Sequence, residues 1–504
     1  MFVATLTLVL LLSFLWTAFS YPLASDTHSH ALAISKGHRI MAIDRRRSSP
    51  TFPVFQHRTA RTEDNGQDLF DLAVAKRDLH NVLAKYISAS AILKGLNQTA
   101  QTQPNSMLQI NQTTPSEQPP IPVLPHFPVG GHDDGHPQQT DPQLPSDEAA
   151  LSSGPIIGLP DLQSPGPHLN TMDLDDFAPE NLDILYYGAL NFGTPVQSLT
   201  VDIDTGSADL WIPANCRSCN TPQFNPSRSS TFQGSDDEFV VTYGVGKAVG
   251  KLAQDVVSIG DLKVQKQDFG IVHAESEQFT QEPNSGIMGL AFSTIAFSKK
   301  PTFFENLLNS GQLQEPIFSV HLARGAQDGS QVCFGCYDKK KTTGPVNWLS
   351  VVTKTYWSVS MEGISSGLES ENKTTATDLS AVIDTGTTLI YLPDEVAAQF
   401  YGTIPGARDA AAEYGEGFYV YPCTSTLSVS LSFSGTNFTI NSSDFNIGRV
   451  SEGSEDCVGG ILGLGDGFPS DLAIIGDEFL KSWYSTYDYG NGRVGLSPSI
   501  NNSS

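Results

Sequence analysis

The phrase Asp-Thr-Gly-Ser/Thr occurs twice in this chain, each time at the end of an apolar run. Asp204-Thr205-Gly206-Ser207 lies within VDIDTGSADLWIP (201–213), and Asp384-Thr385-Gly386-Thr387 within AVIDTGTTLIYLP (381–393). Aligned without gaps, the two stretches share Ile, Asp, Thr, Gly and Pro, and Trp211 falls opposite Tyr391. Such a repeat constrains the chain to fold as two similar halves, each carrying one carboxylate. Two Asp groups brought into one cleft cannot both ionise easily, so one keeps a proton. One can then act as a base on a water while the other acts as an acid. A single copy would carry little weight, because Asp-Thr-Gly is also an ordinary turn.

The 504 residues suffice for two or three domains. Residues 2–19 are uncharged and mostly apolar, with Ala18-Phe19-Ser20 before Tyr21. Residues 1–20 therefore read as a secretory signal. The lack of Lys and Arg ahead of the apolar run leaves a retained membrane anchor as the alternative. The C-terminal SINNSS carries no lipid-anchor signal. Sequons at Asn97, Asn111, Asn372, Asn437, Asn441, Asn501 and Asn502 suit a secreted chain, or one sent to an acidic vacuolar compartment. Residues 21–95 are basic and contain a helical pattern, with Leu69, Leu72, Leu79, Val82, Leu83, Tyr86 and Ile87 recurring at three and four. Residues 96–172 read as an extended linker, since 14 of the 31 prolines fall between 101 and 170. The GGHDDGH stretch within it (130–136) reads as a solvated polar tract rather than a metal site.

Charge is divided unevenly. Residues 21–100 hold 11 Lys+Arg and 7 Asp+Glu, a net of +4; 101–172 hold 7 acids and no base, a net of −7; 173–504 hold 18 and 40, a net of −22. The three sum to the −25 of the whole chain. So acidic a body has nothing to neutralise phosphates, which argues against a nucleic-acid partner. It suits an acidic medium, where carboxylates protonate and the net charge approaches zero.

From 173 the pattern is that of β-structure: short alternating segments such as QSLTVDID, EFVVTYG and VSLSFSG, punctuated by Gly, Pro and Asn. The best helical patterns in this part are PTFFENLLNSG (301–311), DEVAAQFYG (394–402) and DEFLKSW (477–483). The roughly 330 residues here exceed a usual single core, so two β-rich lobes are expected, 173–345 and 346–504.

Taken together, these residues resemble the pepsin-type aspartic endopeptidases over 180–500. The resemblance rests on the two phrases 180 residues apart (384 − 204), the Tyr243-Gly244-Val245-Gly246 hairpin between them, and the segments Ile287-Met288-Gly289 and Ile474-Ile475-Gly476. It implies a predominantly all-β bilobal fold with pseudo-two-fold symmetry and the active cleft between the lobes. In that family the apolar-apolar-Gly segments thread beside the Asp-Thr-Gly loops. It further implies that Asp204 and Asp384 are catalytic, that Gly206 and Gly386 allow tight turns, and that Thr205 and Thr385 cross-brace the loops. Ser207 and Thr387 should bond the outer carboxylate oxygens. Tyr243 and Gly244 would belong to a flap over the substrate, with Trp211 steadying Tyr243; simple core filling by both aromatics is the alternative. Val245 and Lys247 depart from the residues often found in the family, which should alter side-chain preference near the scissile bond.

Six cysteines suggest a few local disulfides. Cys216 and Cys219 read as a small disulfide loop rather than a redox pair. By resemblance, Cys423 and Cys457 form the long-loop bridge of the second lobe. Cys333 and Cys336 do not match the family's usual middle pair. Residues three apart on a straight strand point to opposite faces, so a bridge there needs a bend at Gly335, with two buried thiols as the alternative.

The resulting expectation is a secreted, monomeric aspartic endopeptidase made as a zymogen. It would act on proteins and peptides in acid, prefer bulky apolar residues around the scissile bond, and need no metal or cofactor. No membrane association is expected after signal removal. The alternative is a catalytically inactive peptide-binding protein on the same fold. A carboxylate-pair glycosidase has no reason to repeat Thr-Gly-Ser/Thr after each acid. Residues from 21 to a cut near 160–180 would be an inhibitory segment, with Lys76-Arg77 and Arg45-Arg46-Arg47 as possible processing sites. Lys36 could place its ammonium beside the two aspartates, against the reading of an ordinary solvated lysine.

Overall fold

The computed structural model describes residues 69–86, 170–178, 182–243, 246–277, 279, 282–367, 373–465 and 468–503. The expected signal at 1–20, Lys36, the arginine run 45–47, the Pro-rich tract up to 169, Gly244, Val245, and the sequons at Asn97, Asn111 and Asn372 lie outside the described residues.

The sequence repeat is also a repeat of strand register. Strand Gln197–Asp204 pairs in parallel with Gly286–Gly289, setting Ile203 against Met288 and Asp204 against Gly289. Strand Leu210–Pro213, leaving the first phrase, pairs antiparallel with that same segment. In the second half Lys373–Ile383 pairs in parallel with Leu472–Ile475, and Ile390–Leu392 pairs antiparallel with it. Each apolar-apolar-Gly segment is thus threaded between the strand entering an Asp-Thr-Gly loop and the strand leaving it. These central strands are buried on both faces, which is why they read as continuous apolar runs rather than alternating ones. Gly289 is required by this threading: a Cβ there would lie 2.6 Å from the backbone nitrogens of Ala208 and Asp209.

Six antiparallel strands of the large continuous sheet join the two halves. Their order is Asn347–Lys354, Arg493–Pro498, Trp483–Asp488, Ile317–His321, Ser330–Phe334 and Thr171–Phe177. Aromatic side chains lock them to the lobes, with Phe318 stacked on Tyr487 at 4.6 Å and Trp357 edge-on to Tyr487 at 5.2 Å. Strand Thr171–Phe177 also pairs with Leu185–Phe192, so ordered β-structure begins two residues before the expected start at 173. The architecture is all-β and bilobal.

The expected helices are present but short: Phe303–Asn309, opened by a Thr302/Glu305 capping box, Asp394–Gly402, and Asp477–Leu480. Strands Gln233–Tyr243 and Gly246–Ile259 form the expected hairpin, pairing Tyr243 with Gly246. Alternation along the first strand buries Phe239, Val241 and Tyr243 on one face. All three disulfides form: Cys216–Cys219, Cys333–Cys336 and Cys423–Cys457. Gly335 supplies the bend for the second, with φ +73°, a conformation a side chain disfavours.

Residues 72–86 form a helix in the same body, with Asp71 accepting from the amides of Ala73 (2.8 Å) and Val74 (3.1 Å) at its start. Its buried stripe is Val74, Ala75, Asp78, Val82, Lys85 and Tyr86. Two charged residues thus sit on the face that packs inward. Lys76 and Arg77 are half-buried in this helix, so processing between them requires it to unwind. Among the described residues no helix is long and apolar enough to cross a membrane.

Candidate active site

The two strand ends bring Asp204 and Asp384 together at the junction of the halves, 2% and 0% exposed. The threonines brace the loops reciprocally. The Thr205 hydroxyl donates to the Ile383 carbonyl (2.9 Å) and accepts from the Thr385 amide (3.0 Å). The Thr385 hydroxyl donates to the Ile203 carbonyl (2.5 Å) and accepts from the Thr205 amide (3.2 Å). Each loop is therefore tied to the strand that carries the opposite carboxylate.

The glycines have a different reason from the one expected. Neither Gly206 nor Gly386 has a positive φ. A Cβ on Gly206 would lie 2.5 Å from the Asp384 carboxylate, and one on Gly386 would collide with Asp204. Close approach of the opposite acid, rather than turn conformation, excludes a side chain. Their amides donate to the carboxylates, Gly206 to Asp204 at 2.8 Å and Gly386 to Asp384 at 3.0 Å.

The outer contacts are not symmetric. The Thr387 hydroxyl donates to Asp384 at 2.6 Å. The Ser207 hydroxyl lies close enough to favour the Asp204 carboxylate, without an aligned hydrogen bond among the described residues. Burial raises the pKa of Asp204, and Asp384 adds to the rise. Burial works the same way on Asp384, but Lys85, Thr387 and the Gly386 amide outweigh it and hold Asp384 below its ordinary value.

Lys85, from the helix at 72–86, fills the space between the two acids. Its ammonium lies 2.6 Å from Asp204 Oδ1, and 3.1 and 2.9 Å from Asp384 Oδ1 and Oδ2. Burial alone would lower its pKa, yet the two carboxylates raise it above the ordinary lysine value. The lysine seen beside the dyad is Lys85; Lys36 lies outside the described residues. The Tyr86 hydroxyl donates to Asp384 Oδ2 at 2.9 Å, and its ring packs on Tyr356 (5.0 Å) and Phe468 (6.3 Å). The sequence did carry a signal for Lys85: it stands three residues after Val82 and seven after Asp78, on the helix's apolar stripe.

On the opposite wall, Trp211 Nε1 donates to the Tyr243 hydroxyl at 3.3 Å. Phe279 packs edge-on against both rings, at 5.4 Å from Trp211 and 6.0 Å from Tyr243, a contact the sequence did not announce. Tyr243 thus belongs at once to the hairpin and to a small core with Trp211, Phe239 and Ile287. Asp202, on the same strand face as Asp204, is buried, and its Oδ1 has no hydrogen-bond partner among the described residues. Burial, with Asp204 and Glu282 nearby, raises its pKa well above the carboxylate range.

Among the described residues no group of His, Cys, Asp or Glu is placed to hold a metal ion. Of the sequons, Asn437 is exposed, while the Asn441 side chain caps the turn Ser442–Phe445. The Asn501 and Asn502 amide nitrogens donate to backbone carbonyls of Leu322, Lys481 and Ser482, which occupies the atoms a glycan would need.

The model of the family described as "Eukaryotic aspartyl protease" matches residues 185–499. An aspartic protease of Phaffia rhodozyma is 38% identical over 323 residues, covering 63% of this chain and 76% of the relative. Major aspartyl peptidase 1 of Cryptococcus neoformans var. grubii is 34% identical over 343 residues, covering 64% and 70%. Pepsin-3 of Oryctolagus cuniculus is 33% identical over 324 residues, covering 62% and 81%.

Proposed function

Because the chain belongs to the eukaryotic aspartyl protease family and is an aspartic-type endopeptidase, we propose that Asp204 and Asp384 are its catalytic pair and that residues 72–86 hold it latent. The observation that carries this reading is the Lys85 ammonium, bonded to both carboxylates where a water and a scissile carbonyl would have to sit. With the helix gone, one carboxylate takes a proton from the water, which attacks the carbonyl. The other protonates the carbonyl oxygen, and a proton then passes to the leaving nitrogen. The threonine braces hold both acids to the fraction of an ångström this transfer needs.

Several features support the finer parts of the reading. Tyr86 lies against Tyr356 and Phe468, so the space beside Asp384 suits a bulky apolar side chain of the substrate. The net charge of −22 over 173–504 suits work in acid, and three disulfides with an apolar leader suit secretion. Tyr243, on the hairpin wall, would order the substrate and exclude water. Strand Thr171–Phe177 is built into the sheet, so maturation cuts before Asn170 rather than anywhere in 160–180. Intact acids and braces argue against an inactive binding protein.

The test is to purify the full chain at neutral pH, shift it to acid, and follow mass and peptidase activity together, with Asp384→Asn as control. Activity should appear as the segment before 170 is lost, and never in the control. Full activity with residues 69–86 still attached and intact would refute latency, and an active control would refute the pair.

A further inference from the structure

The first Asp-Thr-Gly loop is held from behind by side chains of the second half. Just past Gly289, the Leu290 amide donates to the Asp204 carbonyl and the Ala291 amide to the Ser207 carbonyl, both at 2.8 Å. The carbonyls of the same two residues accept from the other half. Leu290 accepts from the Trp357 indole nitrogen at 3.0 Å, and Ala291 from the Tyr489 hydroxyl at 2.7 Å. Next along the chain, the Phe292 amide donates to the Thr355 carbonyl at 3.3 Å, and the Thr294 hydroxyl to the Lys354 carbonyl at 2.6 Å. Residues 290–294 are thus bonded at four points to the second half.

Packing keeps these donors in place. Phe292, Trp357 and Tyr489 form a ring cluster with centroids 4.5, 4.7 and 4.9 Å apart, backed by Phe304, Phe318 and Tyr487. No residue of the helix at 72–86 takes part in these bonds or ring contacts, so they do not depend on it. The Leu290 carbonyl and the Ala291 amide belong to one planar peptide unit. The bond from Trp357 and the bond to Ser207 therefore share a rigid plane, and tilting one displaces the other. The second loop is supported differently. The Asp477 and Glu478 amides donate to the Thr387 (2.8 Å) and Thr388 (3.0 Å) carbonyls, but the Asp477 carbonyl accepts from the Lys481 amide (2.8 Å) at the end of helix Asp477–Leu480. At the matching place the first half has only the short turn Ser293–Ile295, and it takes two side chains from its neighbour instead.

We propose that Trp357 and Tyr489 are positioning residues for the reaction: acting through Leu290 and Ala291, they set the place of Asp204 relative to Asp384. This rests on the reading of the two acids as the catalytic pair and deepens it by naming what holds the first acid. The threonine braces fix the two loops where they meet. The Trp357–Tyr489 clamp fixes the far side of the first loop, so that the loop cannot pivot about its brace. A proton and a water shared between two carboxylates need both points of support, because the transfer tolerates only a fraction of an ångström of drift.

The experiment uses acid-activated full-length protein, a quenched fluorogenic peptide with Phe on either side of the cleaved bond, and acid-denatured haemoglobin as a second substrate. Tyr489→Phe keeps the ring and removes the hydroxyl. Its kcat should fall roughly tenfold with KM within about twofold, because misplaced reacting groups cost rate rather than binding. Trp357→Phe removes the indole donor and should act in the same direction. In both, the bell of kcat against pH should narrow: a loosened loop lets the acids separate, their repulsion weakens, and their two apparent pKa values approach. The control is Tyr337→Phe, which removes a buried hydroxyl bonded to Thr342 and Ser497 and to neither loop. It should lower Tm and leave kcat and the bell unchanged. In Tyr489→Phe, an unchanged kcat, an unchanged bell, or a loss that Tyr337→Phe matches overturns the clamp; this variant decides alone if Trp357→Phe does not fold. An active wild type matched by Tyr489→Phe sinks the clamp only. A wild type that cleaves neither substrate sinks the peptidase reading, and the clamp with it.

Discussion

Replacing Lys85 by Met keeps the side chain's length and apolar stem and removes only its charge. The ammonium makes three short bonds to two carboxylates that are almost wholly buried. Breaking a buried ion pair by deleting one partner costs about 3–5 kcal/mol. Asp204 and Asp384 can recover part of this by sharing a proton, so the lower end, about 3 kcal/mol, is expected. That corresponds to roughly a hundredfold more chains with the helix lifted from the cleft, and for a body this size to a fall of about 4 °C in Tm. The pH window follows from the shifts. Asp384 lies below its ordinary value, so its share of the ion pair is complete above that value and lost only as pH falls beneath it. Lys85 is raised, so its share is complete below the ordinary lysine value and fades only above it. The wild-type chain should therefore stay latent across neutrality, whereas Lys85→Met should process itself at a distinctly higher pH. The assay is a pH series of the purified full chain, following mass, inhibitor-sensitive peptidase activity and Tm. A Lys85→Met chain that melts with the wild type and needs the same acid for activity would refute the reasoning.

Three further outcomes are expected. Tyr243→Phe keeps the ring against Phe279 but removes the acceptor for Trp211; kcat should fall while stability changes by no more than about 1 kcal/mol, and unchanged kcat with a large drop in Tm would favour a purely packing role. Thr205→Val leaves the Ile383 carbonyl and the Thr385 amide without their buried partner; denaturant unfolding should show a loss of about 2–4 kcal/mol, largely restored by Thr205→Ser, and a loss equal in both variants would contradict the brace. Around Lys481, burial and neighbouring acids push Asp176 up to about 9, and burial, outweighing Lys481, pushes Glu478 up to about 8. Raised carboxyl values stabilise the fold fully below the ordinary range and lose that stabilisation as pH rises through 8 to 9. Tm should thus be higher at pH 5 than at pH 8, with Asp176→Asn flattening the difference, and an equal or higher wild-type Tm at pH 8 would count against it.

The sequence by itself determined whatever depends on short stretches and on repetition. Both Asp-Thr-Gly phrases, both apolar-apolar-Gly segments and the alternation Phe239, Val241, Tyr243 each record a local backbone state, and the duplication ties two such states into one site. Cys333 and Cys336 read equally as a bridge or as two buried thiols, and the fold, bending at Gly335, decides for the bridge. Tertiary structure decided which groups from distant parts of the chain share a space. Lys85's place on the apolar stripe marks it as facing inward, but nothing local says that its ammonium reaches Asp204, 119 residues further along the chain. The same holds for Asp78 meeting Leu389, for the unequal roles of Ser207 and Thr387, and for Gly206, excluded from bearing a side chain by an acid of the other half. A strand's register is written in its own residues, but a charge in a cleft is placed by the packing of everything around it, and that packing exists only once the chain is folded.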